Sequence, residues 1–164
     1  MHGTASLATV DLTPACSDGS LLVVGASLGT SAAALWGPAA EHLAGRFRVV
    51  GVDLPGHGLS HTATPVKNVA FLAERILMAV AVFQEKQGQA GQPFFYAGVS
   101  VSGCIGLQLL LDAPERIAGA AIVNSAAKIG EKANWLERAA DESRFYLTPL
   151  LPPMRKAMPG FAKP

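Results

Sequence analysis

The segment Pro93 to Leu111 constrains the fold of this chain more than any other. Pro93-Phe94-Phe95-Tyr96-Ala97 reads as a short aromatic strand, Gly98-Val99-Ser100-Val101-Ser102-Gly103 as a tight turn, and Cys104 to Leu111 as an apolar helix. A strand that turns sharply into a helix through small residues belongs inside a sheet, with the helix packed back against the strand. Such a turn pushes its central side chain, Ser100, out at the carboxyl end of the strand. The N–H of Val101 then faces any charge that develops beside Ser100. Gly98 fills the first small position of the pattern; Ser102 stands where glycine is usual and is small enough to be admitted.

The remaining sequence repeats the alternation. Leu21 to Gly25, Phe47 to Val52 and Ile117 to Val123 are compact apolar runs that read as strands. Ala8, Val10 and Leu12 alternate with Thr9 and Asp11, the period of an edge strand. Ser31 to Leu43 reads as a helix broken or entered at Gly37-Pro38. Val69, Leu72, Ala73, Ile76, Val80 and Phe83 recur at helical spacing, which predicts a helix over Val66 to Lys86. Strands alternating with helices give an α/β fold, a mostly parallel sheet flanked by helices, with sites at the carboxyl ends of the strands. Residues 1–124 hold this pattern; Glu131 to Phe145 is charged and helix-compatible, and five prolines at 149, 152, 153, 159 and 164 make 148–164 an irregular tail.

Composition narrows the function classes. Of 164 residues, 50% are hydrophobic and 15% charged, which excludes disorder over most of the length. A net charge of +1 gives no electrostatic case for nucleic acid or an anionic membrane. The longest apolar run, Ile76 to Phe83, is too short to span a bilayer. No Lys or Arg precedes the first apolar residues, so the N-terminus does not read as a secretory signal, and a cytoplasmic location is expected. Cys16 and Cys104 are far apart without metal-ligand spacing; Cys104 is expected to be a small buried hydrophobe.

A serine needs a base, usually His, and an acid that orients it. After Ser100 the sequence contains no histidine. Gly25-Ala26-Ser27-Leu28-Gly29-Thr30, the turn after the first long strand, leaves three readings open. It can be an oxyanion loop whose N–H near Leu28 joins that of Val101, a dinucleotide-binding turn, or a plain structural turn. Against the second, Ser31 replaces the third glycine, and neither Tyr96 nor Tyr146 has the Lys four residues on that short-chain dehydrogenases use. Asp53-Leu54-Pro55-Gly56-His57-Gly58-Leu59-Ser60 puts an acid and an imidazole in one tight turn, a spacing that suits hydrogen bonds fixing the loop better than catalysis. His2, His42 and His61 read as surface or loop residues, and Trp36 and Trp135 as packing residues.

Taken together these residues resemble the α/β-hydrolase superfamily, and within it the 3-oxoadipate enol-lactonase group. The resemblance rests on Ser27-Leu28-Gly29-Thr30 with Trp36 and Pro38, on Asp53-x-Pro-Gly-His57-Gly-x-Ser60, and on the turn at Ser100. Its narrowest part is Pro114-Glu115-Arg116-Ile117 leading to Asn124-Ser125-Ala126-Ala127-Lys128-Ile129-Gly130, with Trp135 and Arg138 beyond. It implies that Ser100 attacks the carbonyl of a small lactone or ester, with the Leu28 and Val101 amides as oxyanion hole and no cofactor or metal. It implies a step in aromatic-compound catabolism, and a helical cap that begins over 125–147, where Lys128 and Arg138 have the charge to meet a substrate carboxylate or are solvated surface cations. Members of that group continue well beyond the equivalent of position 164, through two more strands and the triad acid and His. The expected fold is therefore C-terminally truncated and its activity impaired. Asn124 stands where an alternative acid would, and Asp141 and Glu142 have no support as triad members. The strand Ile117 to Val123 is then expected to be an exposed apolar edge open to self-association. Two other functions stay open: a non-catalytic interaction module that needs a partner chain, and the nucleotide-binding oxidoreductase.

Overall fold

A period-two alternation runs through every long strand and sorts its side chains onto two faces. The computed structural model describes residues 7–14, 19–61 and 65–127. In chain order the elements are β1 (Thr9–Asp11), β2 (Ser20–Gly25), α1 (Ala32–Leu43), β3 (Phe47–Val52), α2 (Val69–Lys86), β4 (Phe94–Val99), α3 (Val101–Asp112), a 3₁₀ turn (Pro114–Arg116) and β5 (Ile117–Val123). The strands form one sheet in the order β1-β3-β2-β4-β5, with β1 antiparallel to β3 and every other pair parallel.

Leu21 and Val23 of β2, Val50 and Val52 of β3, and Phe94 and Tyr96 of β4 pack on one face with Leu72, Ile76 and Val80 of α2 and Ile105 and Leu109 of α3. Leu22, Val24, Val49 and Ala97 point to the other face, where Ala40, Trp36 and Leu43 of α1 cover them. This is a helix–sheet–helix sandwich, the α/β architecture expected from the sequence. Tyr96 is fully buried and its hydroxyl donates to the Ser102 carbonyl at 2.9 Å; burial pushes its phenol well above the ordinary tyrosine range.

Several details differ from the sequence expectation, beyond shifts of one residue at strand and helix ends. Pro38 lies inside α1 rather than breaking it; Pro38 and Ala34, the residue whose carbonyl loses its helical partner, are both exposed, so water can replace the missing bond. Helix α2 starts at Val69, not Val66, because the Asn68 side chain accepts the Phe71 N–H at 2.8 Å and caps the helix there. At the turn the strand continues to Val99 and the helix begins at Val101, so only Ser100 separates them. The expected helix over 131–145, the tail, Lys128, Trp135, Arg138, Asp141, Glu142, Cys16 and His2 lie outside the described residues.

Candidate active site

Ser100 adopts φ 57 and ψ −118, a backbone conformation that normally belongs to glycine. Its neighbours hold it there from both sides. The Ser100 N–H donates to the Val123 carbonyl at 3.0 Å, and its carbonyl accepts the Cys104 N–H at 3.1 Å and the Ser125 hydroxyl at 2.6 Å. Strain at one residue persists where the surroundings over-determine it in this way. Glycines make the close approach possible: a Cβ on Gly98 would lie 2.2 Å from the Ser102 carbonyl oxygen, and one on Gly103 2.4 Å from the Ser125 Cβ. Ser100 is half-buried, and among the described residues its hydroxyl has no hydrogen-bond partner.

Strands β2 and β4 are adjacent and in register at Gly25 and Gly98, so the loop after β2 and the turn after β4 leave the sheet side by side. This brings Leu28 to the same end of the sheet as Ser100 and Val101. Neither the Leu28 nor the Val101 N–H donates to another group among the described residues. Side chains from three other parts of the chain hold the loop between them. Trp36 of α1 donates its Nε1–H to the Gly25 carbonyl at 3.0 Å. The Ser102 hydroxyl, fully buried, donates to the Ala26 carbonyl at 2.5 Å. His57 Nε2 accepts the Gly29 N–H at 3.1 Å, and a buried oxygen of Asp53 accepts the Ala32 N–H at 2.8 Å.

His57 is therefore no free base. Its Nε2 is an acceptor, which puts the ring proton on Nδ1, 3.0 Å from the Pro55 carbonyl. Asp53 is equally committed, since its second oxygen accepts the Leu59 N–H at 2.9 Å and its carboxylate fills the space over Gly58. Ser60 completes the loop by donating to the Asp53 carbonyl at 2.7 Å and accepting from the Ala8 N–H at 2.8 Å. The loop-fixing role read from the sequence is what these contacts perform, with a longer reach than expected. Asp53 also weighs against the dinucleotide reading: a carboxylate already sits on the first N–H of α1, where a pyrophosphate would have to bind.

Cys104 departs from expectation. It is half-buried rather than buried, and its Sγ lies 2.9 Å from the Ala126 carbonyl and 3.4 Å from the Ser125 hydroxyl. Position 104 faces the segment that follows β5, and a polarizable thiol bonds its backbone there. His42 and His61 are exposed, as read. Among the described residues no three His, Cys, Asp or Glu side chains gather as metal ligands, and no helix is long and apolar enough to cross a membrane.

The family model described as the alpha/beta hydrolase fold matches residues 19–148. The chain belongs to the alpha/beta hydrolase family. A 3-oxoadipate enol-lactonase 2 of Acinetobacter baylyi is 29% identical over 129 residues, covering 79% of this chain and 46% of that protein. The structure of an enol-lactonase from Burkholderia xenovorans superposes with a TM-score of 0.70 at 26% identity, over 92% of this chain and 54% of the other. A hydrolase from Pseudomonas aeruginosa gives a TM-score of 0.67 at 30% identity, over 82% and 48%. The chain thus spans about half the length of these hydrolase relatives.

Two features of this candidate site are not legible in the sequence: the buried Ser102 hydroxyl on Ala26, and the long-range bond from Gly29 to His57. The only sequence signal for the first was a small polar residue where glycine is usual. A Cβ on Gly25 would fall 2.7 Å from the Ser102 side chain, so a glycine on the neighbouring strand makes room for that serine.

Proposed function

We propose that residues 1–164 carry the nucleophile and oxyanion half of an enol-lactonase-type site that hydrolyses a small lactone or ester. The observation that carries this reading is Ser100 at φ 57 between β4 and α3, with the adjacent Val101 N–H unpaired among the described residues. The Ser100 oxygen would attack the carbonyl carbon while its proton passes to a base. The resulting oxyanion would sit on the Leu28 and Val101 N–H groups, and collapse would open the lactone C–O bond to leave an acyl-serine for water to cleave. None of these steps calls for a metal or a cofactor. The similarity to the Acinetobacter enol-lactonase supports the lactone substrate class; a cytoplasmic setting and a place in aromatic catabolism belong to the same proposal.

Among the described residues no base is placed to serve Ser100. No histidine follows Ser100 in the sequence, and His57 spends its lone pair on Gly29. Hydrolysis by these residues alone is therefore impaired, with only the oxyanion and binding contributions left. A fluorophosphonate probe with peptide mapping tests the assignment: slow, stoichiometric labelling at Ser100 that disappears in Ser100→Ala. Equal labelling of the two proteins sinks it. Among the described residues no strand pairs with the outer edge of β5, which favours a second reading, an interaction module that pairs with another chain or with a second copy, and a monodisperse monomer at all concentrations in light scattering would remove that one.

A further inference from the structure

We infer that His57 and Ser102 are positioning residues that hold the loop 26–30 at Ala26 and Gly29, so that the Leu28 N–H between them is left unpaired among the described residues. This deepens the reading of Leu28 as an oxyanion donor and rests on it for its purpose, though not for its geometry.

A short loop can satisfy its own N–H and C=O groups by closing into successive turns. Here two of those groups are taken by side chains distant in sequence. The Ala26 carbonyl is claimed by Ser102 of α3, 76 residues away, and the Gly29 N–H by His57, 28 residues away. Gly29, the second fixed point, adopts φ 79, a conformation that favours glycine. Leu28, immediately before it, is left with an N–H that meets no acceptor among the described residues. A free donor held by rigid neighbours is what an oxyanion site requires, because a donor that must first break its own bond contributes little when charge develops. Both holders are themselves buried and fixed: Ser102 is 0% exposed, and His57, 7% exposed, is anchored through Nδ1 to Pro55. The imidazole must be neutral with its proton on Nδ1, since a proton on Nε2 would face the Gly29 N–H.

Heteronuclear NMR on the chain itself tests this without any variant. Long-range ¹H–¹⁵N spectra should show His57 with a protonated Nδ1 and a bare Nε2; the opposite tautomer overturns the inference. Hydrogen exchange then reads the hold directly. His57→Phe keeps an aromatic ring but offers no acceptor, and it should speed Gly29 exchange about fivefold or more while Val23 and Val50 in the sheet stay within about twofold. His57→Gln, whose amide oxygen can replace Nε2, should return Gly29 toward the parent rate. Ser102→Ala should move the Ala26 carbonyl ¹³C resonance to that of an unbonded carbonyl. Unchanged Gly29 exchange, equal acceleration of the sheet amides, or no recovery in His57→Gln each overturns the proposal. Phosphonylation of Ser100 supplies the functional arm: the limiting rate should fall several-fold in His57→Phe and Ser102→Ala with the half-saturating probe concentration unchanged. A loosened loop with an unchanged labelling rate overturns the positioning role. If the parent takes no phosphonate at all, the nucleophile reading falls, and Gly29 exchange by itself decides whether the loop is held.

Discussion

At one edge of the sheet β1 is three residues long, antiparallel to its neighbour, and ends in Asp11, whose carboxylate pairs with Arg48. At the other edge β5 runs seven residues, Ile-Ala-Gly-Ala-Ala-Ile-Val, parallel to its neighbour and without a charge or a proline. Ala118, Ala120, Ala121 and Val123 are exposed along it, and Leu111 beside it on α3 is 77% exposed. Short length, a reversed direction and a charge are the devices by which sheets end; a long apolar strand with free N–H and C=O groups is one that invites another strand. The contrast reaches the candidate site, because its two parts come from the two sides. The β1 side supplies the loop held by Asp53, His57 and Ser60, and the β5 side supplies Val123 and Ser125, which fix the Ser100 backbone.

The sharpest way to break the comparison is to force the halves apart where they meet. Gly98→Ala puts a Cβ 2.2 Å from a helix carbonyl that cannot move without α3, and should cost about 3 kcal/mol or more in urea unfolding. A loss below about 1 kcal/mol would mean that β4 and α3 separate easily. Next comes the closed side: Asp53→Ala strands two N–H donors, those of Ala32 and Leu59, and should destabilise by about 2–4 kcal/mol, with Asp53→Asn recovering part of it. Tyr96 lies between the halves. Its folded-state pKa is raised, so the stability it contributes is complete below the ordinary tyrosine value and is lost as pH climbs toward the folded one. Thermal scans at rising alkaline pH should therefore show a steeper decline in the parent than in Tyr96→Phe, which gives up about 1 kcal/mol at neutral pH for the lost hydrogen bond. The smallest effect on folding belongs to the open edge. Ala121→Lys should change stability by less than about 0.5 kcal/mol yet reduce concentration-dependent light scattering; if scattering is unchanged, β5 is not the surface that associates.

Strands were the most readable elements. Phe47 to Val52 and Ile117 to Val123 were bounded correctly, because β-branched and small apolar runs flanked by turns admit few other structures. Ser100 and Leu28 reach the same end of the sheet, as their places after two adjacent strands required. What escaped prediction is non-local or capping-dependent. Asn68 caps α2 after the start of the periodic run with one side-chain bond, and Pro38 is accommodated within α1 at an exposed position. Cys104 was read by its type, while its contacts are decided by where the chain goes after β5. His57 and Ser102 act on partners 28 and 76 residues away, and no local pattern encodes that distance.

The φ of 57 at Ser100 has a consequence for how this chain responds to selection. Glycine would adopt the same backbone without a Cβ penalty, a difference of about 1 kcal/mol. Stability and chemistry thus pull on position 100 in opposite directions, and a library sorted for thermal tolerance alone would discard the hydroxyl among its first gains. Stabilising this protein and keeping the Ser100 hydroxyl proposed as its nucleophile are separate tasks, to be pursued with position 100 held constant.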